Sequence, residues 1–178
     1  SLGNYGGNGL SLREAVKLAN GFAGADVITF DANVFTGGAA SLIRLVQGEI
    51  EITDEVTIEG ATGTNVVITG DQGDDDITVS GTDVTDVRAS GAFLGDNTRI
   101  LNITSPTAET ILKGLTLTGG RTSAYGSGKS DDTYKGGAIR ALSALTILDS
   151  NISGNSTGGE YSEGGAIHAG AALTIHNS

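Results

Sequence analysis

The chain repeats itself at a spacing of 28 residues. Gly136-Gly137-Ala138-Ile139 returns as Gly164-Gly165-Ala166-Ile167, Leu145-Thr146-Ile147 returns as Leu173-Thr174-Ile175, and Asp149-Ser150 returns as Asn177-Ser178. A period of roughly 20 to 50 residues marks a solenoid, a propeller or an array. One unit of that length cannot bury its own apolar face, so successive units must stack to make a core. The repeat therefore constrains architecture strongly and chemistry hardly at all.

Within each unit the apolar residues come in short runs, such as Ala144-Leu145-Thr146-Ile147 and Asn151-Ile152-Ser153. These runs are rich in β-branched types and close on Gly, Asn, Asp or Ser. They are strand signals bounded by turn signals. The same grammar runs through 42–46, 56–58, 66–68, 77–79, 100–103 and 115–117. A coil of short strands joined by polar turns is a parallel β-helix, which is the expected fold. The register survives an insertion. GLTLTGG at 114–120 matches DSNISGN at 149–155, 35 residues on, and the 7 additional residues fall between Gly120 and Gly136. Insertions in stacked repeats gather on one face, often the binding face. The enlarged loop, 121–135, is the expected partner-binding element, with Tyr125, Asp131, Asp132 and Tyr134 as its candidate contact residues.

One helix is written clearly. Ser11-Leu12-Arg13-Glu14 is a capping box, in which the Ser hydroxyl and the Glu carboxylate each satisfy an orphan amide at the helix start. Leu12, Ala15, Val16 and Ala19 form an apolar stripe, and Asn20-Gly21 is a fitting stop. A helix over 11–20 ahead of stacked strands is expected to cover the open edge of the first unit. The expected organisation is a single domain over 1–178, with 1–30 as an N-terminal cap and 31–178 as the stacked rungs.

The 178 residues include 29 Gly, one Pro, four Phe and four Tyr, with no Trp, Met or Cys. The core should therefore be layers of Val, Ile, Leu and Ala, with no disulfide or thiol chemistry. The net charge is −11, which argues against nucleic acid and anionic membrane surfaces. It suits a secreted soluble protein, or one that meets divalent cations or high salt. No apolar run reaches the roughly 20 residues of a membrane span. Glycosylation sequons occur at Asn102, Asn151 and Asn155, a pattern that arises readily by chance in a chain rich in Asn, Ser and Thr. The chain opens on the loop-like SLGNYGGNG and stops inside a repeat at Ser178, so it reads as a fragment of a longer protein.

Gly9-Leu10-Ser11-Leu12-Arg13-Glu14-Ala15-Val16, continued by Ala19-Asn20 and Asp26-Val27-Ile28-Thr29-Phe30-Asp31, resembles the SLREA-type N-terminal module of large bacterial secreted and surface proteins. The later Gly-Gly-Ala-Ile units are similar to the repeats of the polymorphic outer-membrane protein family. Those repeats pair GGA plus Ile, Leu or Val with F-x-x-N; here Ile152-Ser153-Gly154-Asn155 keeps only the Asn. The resemblance implies a right-handed parallel β-helix exported as a passenger, secreted or held at the cell surface, often as an adhesin. It brings no catalytic residues.

The densest acidic run is Asp71-Gln72-Gly73-Asp74-Asp75-Asp76. Asp71, Asp74 and Asp76 are the candidate ligands for Ca²⁺, a hard cation that takes 6–8 oxygens. The spacing matches neither an EF-hand nor a nonapeptide calcium repeat, and a solvated acidic turn is the competing reading. Asp131-Asp132 could in principle do acid–base work on sugars, although adjacent residues in a strand point apart. Arg140 and His168 fall at equivalent positions 28 apart and should stack; an Arg base beside acidic cation ligands would suit a polysaccharide lyase, and an exposed column on one sheet face is the competing reading. His176 aligns with Leu148 and suggests no function. Asn151 and Asn155 are expected to bond the backbone at turns. No Ser/His/Asp triad or phosphate loop is visible.

The functional expectation is a non-catalytic structural and adhesive segment that presents loops to a host or neighbouring cell surface or to a glycan. The alternatives are a polysaccharide lyase or glycoside hydrolase, which the scarcity of aromatic contact surface disfavours, and a module that self-associates end to end.

Overall fold

The computed structural model describes residues 9–37, 41–72, 77–79, 83–85, 97–123, 134–158 and 163–178. Helix α1 (Leu12–Ala19) comes first. Strands β1 (Asp26–Thr29), β2 (Leu42–Arg44) and β3 (Ile50–Ile52) then begin three different sheets. The chain returns to lie on each in turn, through β4 (Val56–Glu59) and β5 (Val66–Thr69), a hairpin of β6 (Ile77–Val79) and β7 (Asp83–Thr85), and β8 (Leu101–Ile103). The next pass is β9 (Thr110–Lys113), β10 (Leu115–Thr118), β11 (Arg121–Ser123) and β12 (Ile139–Ala141). After it come β13 (Leu145–Leu148), β14 (Asn151–Ile152), β15 (Ser156–Gly158) and β16 (Ile167–Ala169), and β17 (Leu173–His176) opens one more.

The first sheet thus runs β1-β4-β9-β13-β17, the second β2-β5-β10-β14 and the third β3-β8-β12-β16, with β11–β15 as a short fourth ladder. All ladders in these sheets are parallel. The strand expected at 77–79 forms, but it pairs antiparallel with 83–85 instead of joining a stack. Over the described residues the fold is all-β, built mainly of parallel sheets with one short helix.

The ladders keep the register that the repeats require. Ile139 faces Ile167 and Ile147 faces Ile175, each 28 residues on. Thr116 faces Asn151 and Leu117 faces Ile152, each 35 on. In-register parallel pairing puts like on like. Ile50, Leu101, Ile139 and Ile167 make one column, and Ile58, Leu112, Ile147 and Ile175 another. Strand side chains alternate between faces, so each strand sends every second residue into the core. Ile, Leu and Val buried in this way contribute about 1.5–3 kcal/mol each relative to exposure. The buried apolar set consists of Ile, Leu, Val and Ala, with Phe30 and Phe35 packed against it, edge to face at 4.8 Å.

Helix α1 starts on the expected capping box, with Ser11 as N-cap, and ends at Asn20; Leu12, Val16 and Ala19 are buried. It packs against β3, the edge strand of the third sheet, and against β1. Its polar side chains satisfy the backbone along the third sheet's open edge. Arg13 donates to the carbonyls of Glu49 (2.7 Å) and Gly48. Asn20 accepts from Thr53 N and donates to Glu51 O, both at 2.9 Å. An edge that would otherwise be free to pair with another strand is closed.

The repeated Gly-Gly has a steric cause. Gly136 and Gly164 sit at φ +71° and +67°, where a Cβ would strain the backbone. At Gly137 a Cβ would collide with the carbonyl oxygens of Ser156 and Gly165 on the next pass.

Passes differ in length only between strands. Glu59 is partnered with Lys113 and Val66 with Leu115, so residues 60–65 make the turn that Gly114 alone makes one pass later. The connection from β11 to β12 holds the enlarged loop, of which 124–133 lie outside the described residues.

Candidate functional site on the outer face of the third sheet

On the third sheet the outward-facing residues stack into one column: Glu51 on β3, Asn102 on β8, Arg140 on β12 and His168 on β16. Arg140 and His168 are neighbours, as their spacing requires. The flanking connections bring Glu49, Arg99, Lys135 and Glu163 to the same face.

These groups form two linked clusters. In the first, Arg99 Nε donates to Glu49 Oε2 at 2.7 Å, Asn102 Nδ2 to Glu49 Oε1 at 2.9 Å, and Arg140 Nη1 to Asn102 Oδ1 at 3.3 Å. Arg99 is buried and also donates to Lys135 O at 2.8 Å. In the second, Glu163 Oε2 lies 3.0 Å from Lys135 Nζ and 3.3 Å from His168 Nε2. The hydrogen bond from Lys135 holds the Glu163 carboxyl below its ordinary range, its charge adds to this, and His168 contributes less. Among the described residues His168 Nδ1 meets no hydrogen-bond partner although it is buried.

The face presents donors, acceptors and both signs of charge across four stacked strands. Two of its carboxylates already accept from cations, Glu49 from Arg99 and Glu163 from Lys135, and Glu51 accepts from Thr104 Oγ1 at 3.0 Å. That arrangement joins one pass to the next and leaves a polar surface outside.

The candidate calcium ligands are only partly within view. Asp71 is buried, its carbonyl accepts from Arg44 Nη1 at 2.8 Å, and its Oδ2 lies 3.7 Å from the same nitrogen. Asp74 and Asp76 lie outside the described residues. Among the described residues no three His, Asp or Glu side chains gather as a metal site. Of the loop residues, Tyr125, Asp131 and Asp132 lie outside the description as well. Tyr134 is described, and its carbonyl accepts from Thr122 Oγ1 at 3.0 Å, tying the loop's end to β11.

Asn155 does bond the backbone, accepting from Gly120 N at 2.8 Å and donating to Leu117 O at 2.9 Å. Asn151 is an exposed strand residue. His176 is exposed at the end of β17, in line with Leu148. Sequence reasoning missed Glu49, Arg99, Lys135 and Glu163. They sit in connections, where no periodicity marks direction. Compared with protein-family models, curated proteins and solved structures, the chain has no significant match.

Proposed function

We propose that this chain is a segment of a right-handed parallel β-helix that serves as a structural and adhesive scaffold in a large secreted or cell-surface bacterial protein. Parallel strands joined by crossovers adopt the right hand in about 98% of cases. The observation that carries the reading is the constancy of register against varying pass length. Ladder partners lie 28 residues apart in one pass and 54 in another, Leu145↔Leu173 against Val56↔Thr110, yet the strands stay in line. A frame that absorbs insertions at its connections is suited to displaying loops. The N-terminal likeness to SLREA-type modules and the acidic composition support export.

The test is to remove 7 residues from loop 121–135. The scaffold reading expects unchanged circular dichroism and melting temperature, with loss of binding to bacterial or host cells. A cooperative fold that collapses on this deletion, or cell binding that ignores it, sinks the proposal. The enzymatic alternative draws on Lys135, Arg140, His168 and Glu163 sharing one sheet face. A panel of pectate, alginate and neutral glycans, scored for new reducing ends and unsaturated products, decides it. Turnover that disappears in Arg140→Ala promotes the lyase.

A further inference from the structure

An open groove of about 660 Å³ lies at the corner between the first and second sheets, within the 300–1,000 Å³ range of ligand sites. Its origin is the unequal turn described above. Residues 60–65 stand out as a wall, because the following passes cut the same corner with Gly114 and with Asp149-Ser150. The floor is two stacked columns. Thr116 and Asn151 are partners on adjacent strands, and Asp149 Oδ1 accepts from Asn177 Nδ2 at 3.1 Å. Lys113 Nζ pairs with Glu59, its partner on the preceding pass, at 2.7 Å, and Thr116 Oγ1 donates to Asn65 Oδ1 of the wall at 2.8 Å.

One column has an irregular history. Gly114 takes a left-handed turn at φ +63°; Asp149 and Asn177 follow it at +48° and +53°, the two non-glycine residues with positive φ among those described. Glycine would turn this corner without strain. Asp and Asn tolerate it and place a hydrogen-bonding group in the groove.

The lining selects its ligand by elimination. The apolar residues Ala61 and Leu115 are buried beneath the floor, so an apolar ligand finds no apolar side chain to cover. Two carboxylates against one ammonium, in a chain of net charge −11, repel an anionic polymer. A cationic peptide needs an excess of negative charge in the lining, but Lys113 neutralises Glu59 and leaves Asp149 as the one unbalanced carboxylate. A divalent cation such as Ca²⁺ would need 6–8 oxygens, which two engaged carboxylates do not provide. Mixed donors and acceptors suit hydroxyls, which both give and take hydrogen bonds. Equivalent groups repeat at the strand spacing of about 4.8 Å, close to the length of one pyranose in an extended chain.

The geometry points to a binding groove for the end of an unbranched neutral polysaccharide, which meets the 60–65 wall and runs from it along the stack with one sugar per pass, contacted by Asp149, Asn151, Asn177, Lys113, Thr116 and Asn65. None of the described residues of loop 121–135 lines the groove, and the groove stands independently of the adhesive reading. Without aromatic platforms the affinity for a short oligosaccharide is weak, about millimolar.

The experiment is a ¹⁵N-amide titration of the chain with cellotetraose, maltotetraose and xylotetraose, against tetragalacturonate, trilysine and CaCl₂. The expected result is saturable shifts at amides 60–65, 113–116 and 149–151 with at least one neutral sugar. Asp149→Gly adopts the glycine used one pass earlier, so it keeps the melting temperature. It should weaken binding about fivefold, the effect of one lost hydrogen bond. The proposal is overturned by saturation with tetragalacturonate, trilysine or Ca²⁺ in place of the neutral sugars, by neutral-sugar shifts confined to other amides, by equal affinity in Asp149→Gly, or by no saturable shift at all. Shortening loop 121–135 leaves these shifts unchanged, which separates failure of the groove from failure of the adhesive reading.

Discussion

Thr110 carries a hydroxyl into the core. It is fully buried, stacked between Val56 and Leu145, and its Oγ1 meets no hydrogen-bond partner among the described residues. A buried hydroxyl left unpaired costs about 1–3 kcal/mol. Thr110→Val keeps the shape and removes the polar atom, so it should raise stability by about 1 kcal/mol in urea unfolding; a loss would show that the hydroxyl has a partner. The opposite sign is expected at Gly137. Alanine there must push aside the carbonyls of Ser156 and Gly165, and overpacking of this kind costs about 1–3 kcal/mol. Gly165 faces open space, so Gly165→Ala should cost measurably less. Equal costs would mean the Gly-Gly motif reflects flexibility and not close approach.

At the level of elements, α1 matters through its ends more than its length. Ser11→Ala removes the N-cap and should cost about 1 kcal/mol. Asn20→Ala strands Thr53 N and Glu51 O on the edge of β3, so its effect should appear first as faster hydrogen exchange at Thr53. Unchanged exchange there would mean that the helix only shields the edge sterically. The link between Lys135 and Glu163 gives a pH signature. The folded-state pKa of Glu163 is lowered from 4.5, first by the hydrogen bond from Lys135. Its contribution is therefore in place above about 4.5 and is lost as pH falls through the lower folded value. In Lys135→Ala the carboxyl midpoint, followed by carbon-13 NMR, should move up toward 4.5. A midpoint that stays put would leave His168 as the cause.

At the scale of the whole molecule, stacked units give nearest-neighbour energetics. Ile147 and Ile175 occupy equivalent positions in identical Leu-Thr-Ile strings, yet Ile147 is 0% exposed and Ile175 is 50% exposed. Ile147→Ala should cost about 3 kcal/mol, near the middle of the range for such truncations. Ile175→Ala should cost about 1 kcal/mol, because half its surface is already wet. Thermal or urea unfolding of the two variants compares them directly. Equal costs would mean that the outer side of β17 is covered in solution.

The sequence alone determined the stacking. Identical strings 28 apart, and a matched pair 35 apart, fixed which residues face one another, because in-register parallel pairing rewards like on like. The helix was equally legible, since a capping box and an apolar stripe are local. The tertiary structure decided what the connections do. Glu49, Arg99, Lys135 and Glu163 reach the face of the third sheet, and residues 60–65 wall the corner groove. Loop side chains obey no period, and their direction depends on passes far away in sequence. The pairing of 77–79 with 83–85 was likewise not legible, because a short β-branched run looks the same in a hairpin and in a stack. The turn at Gly114, Asp149 and Asn177 lies between the two cases. Its alignment was visible in the residues, but its left-handed backbone and its place on the groove floor came only with the fold.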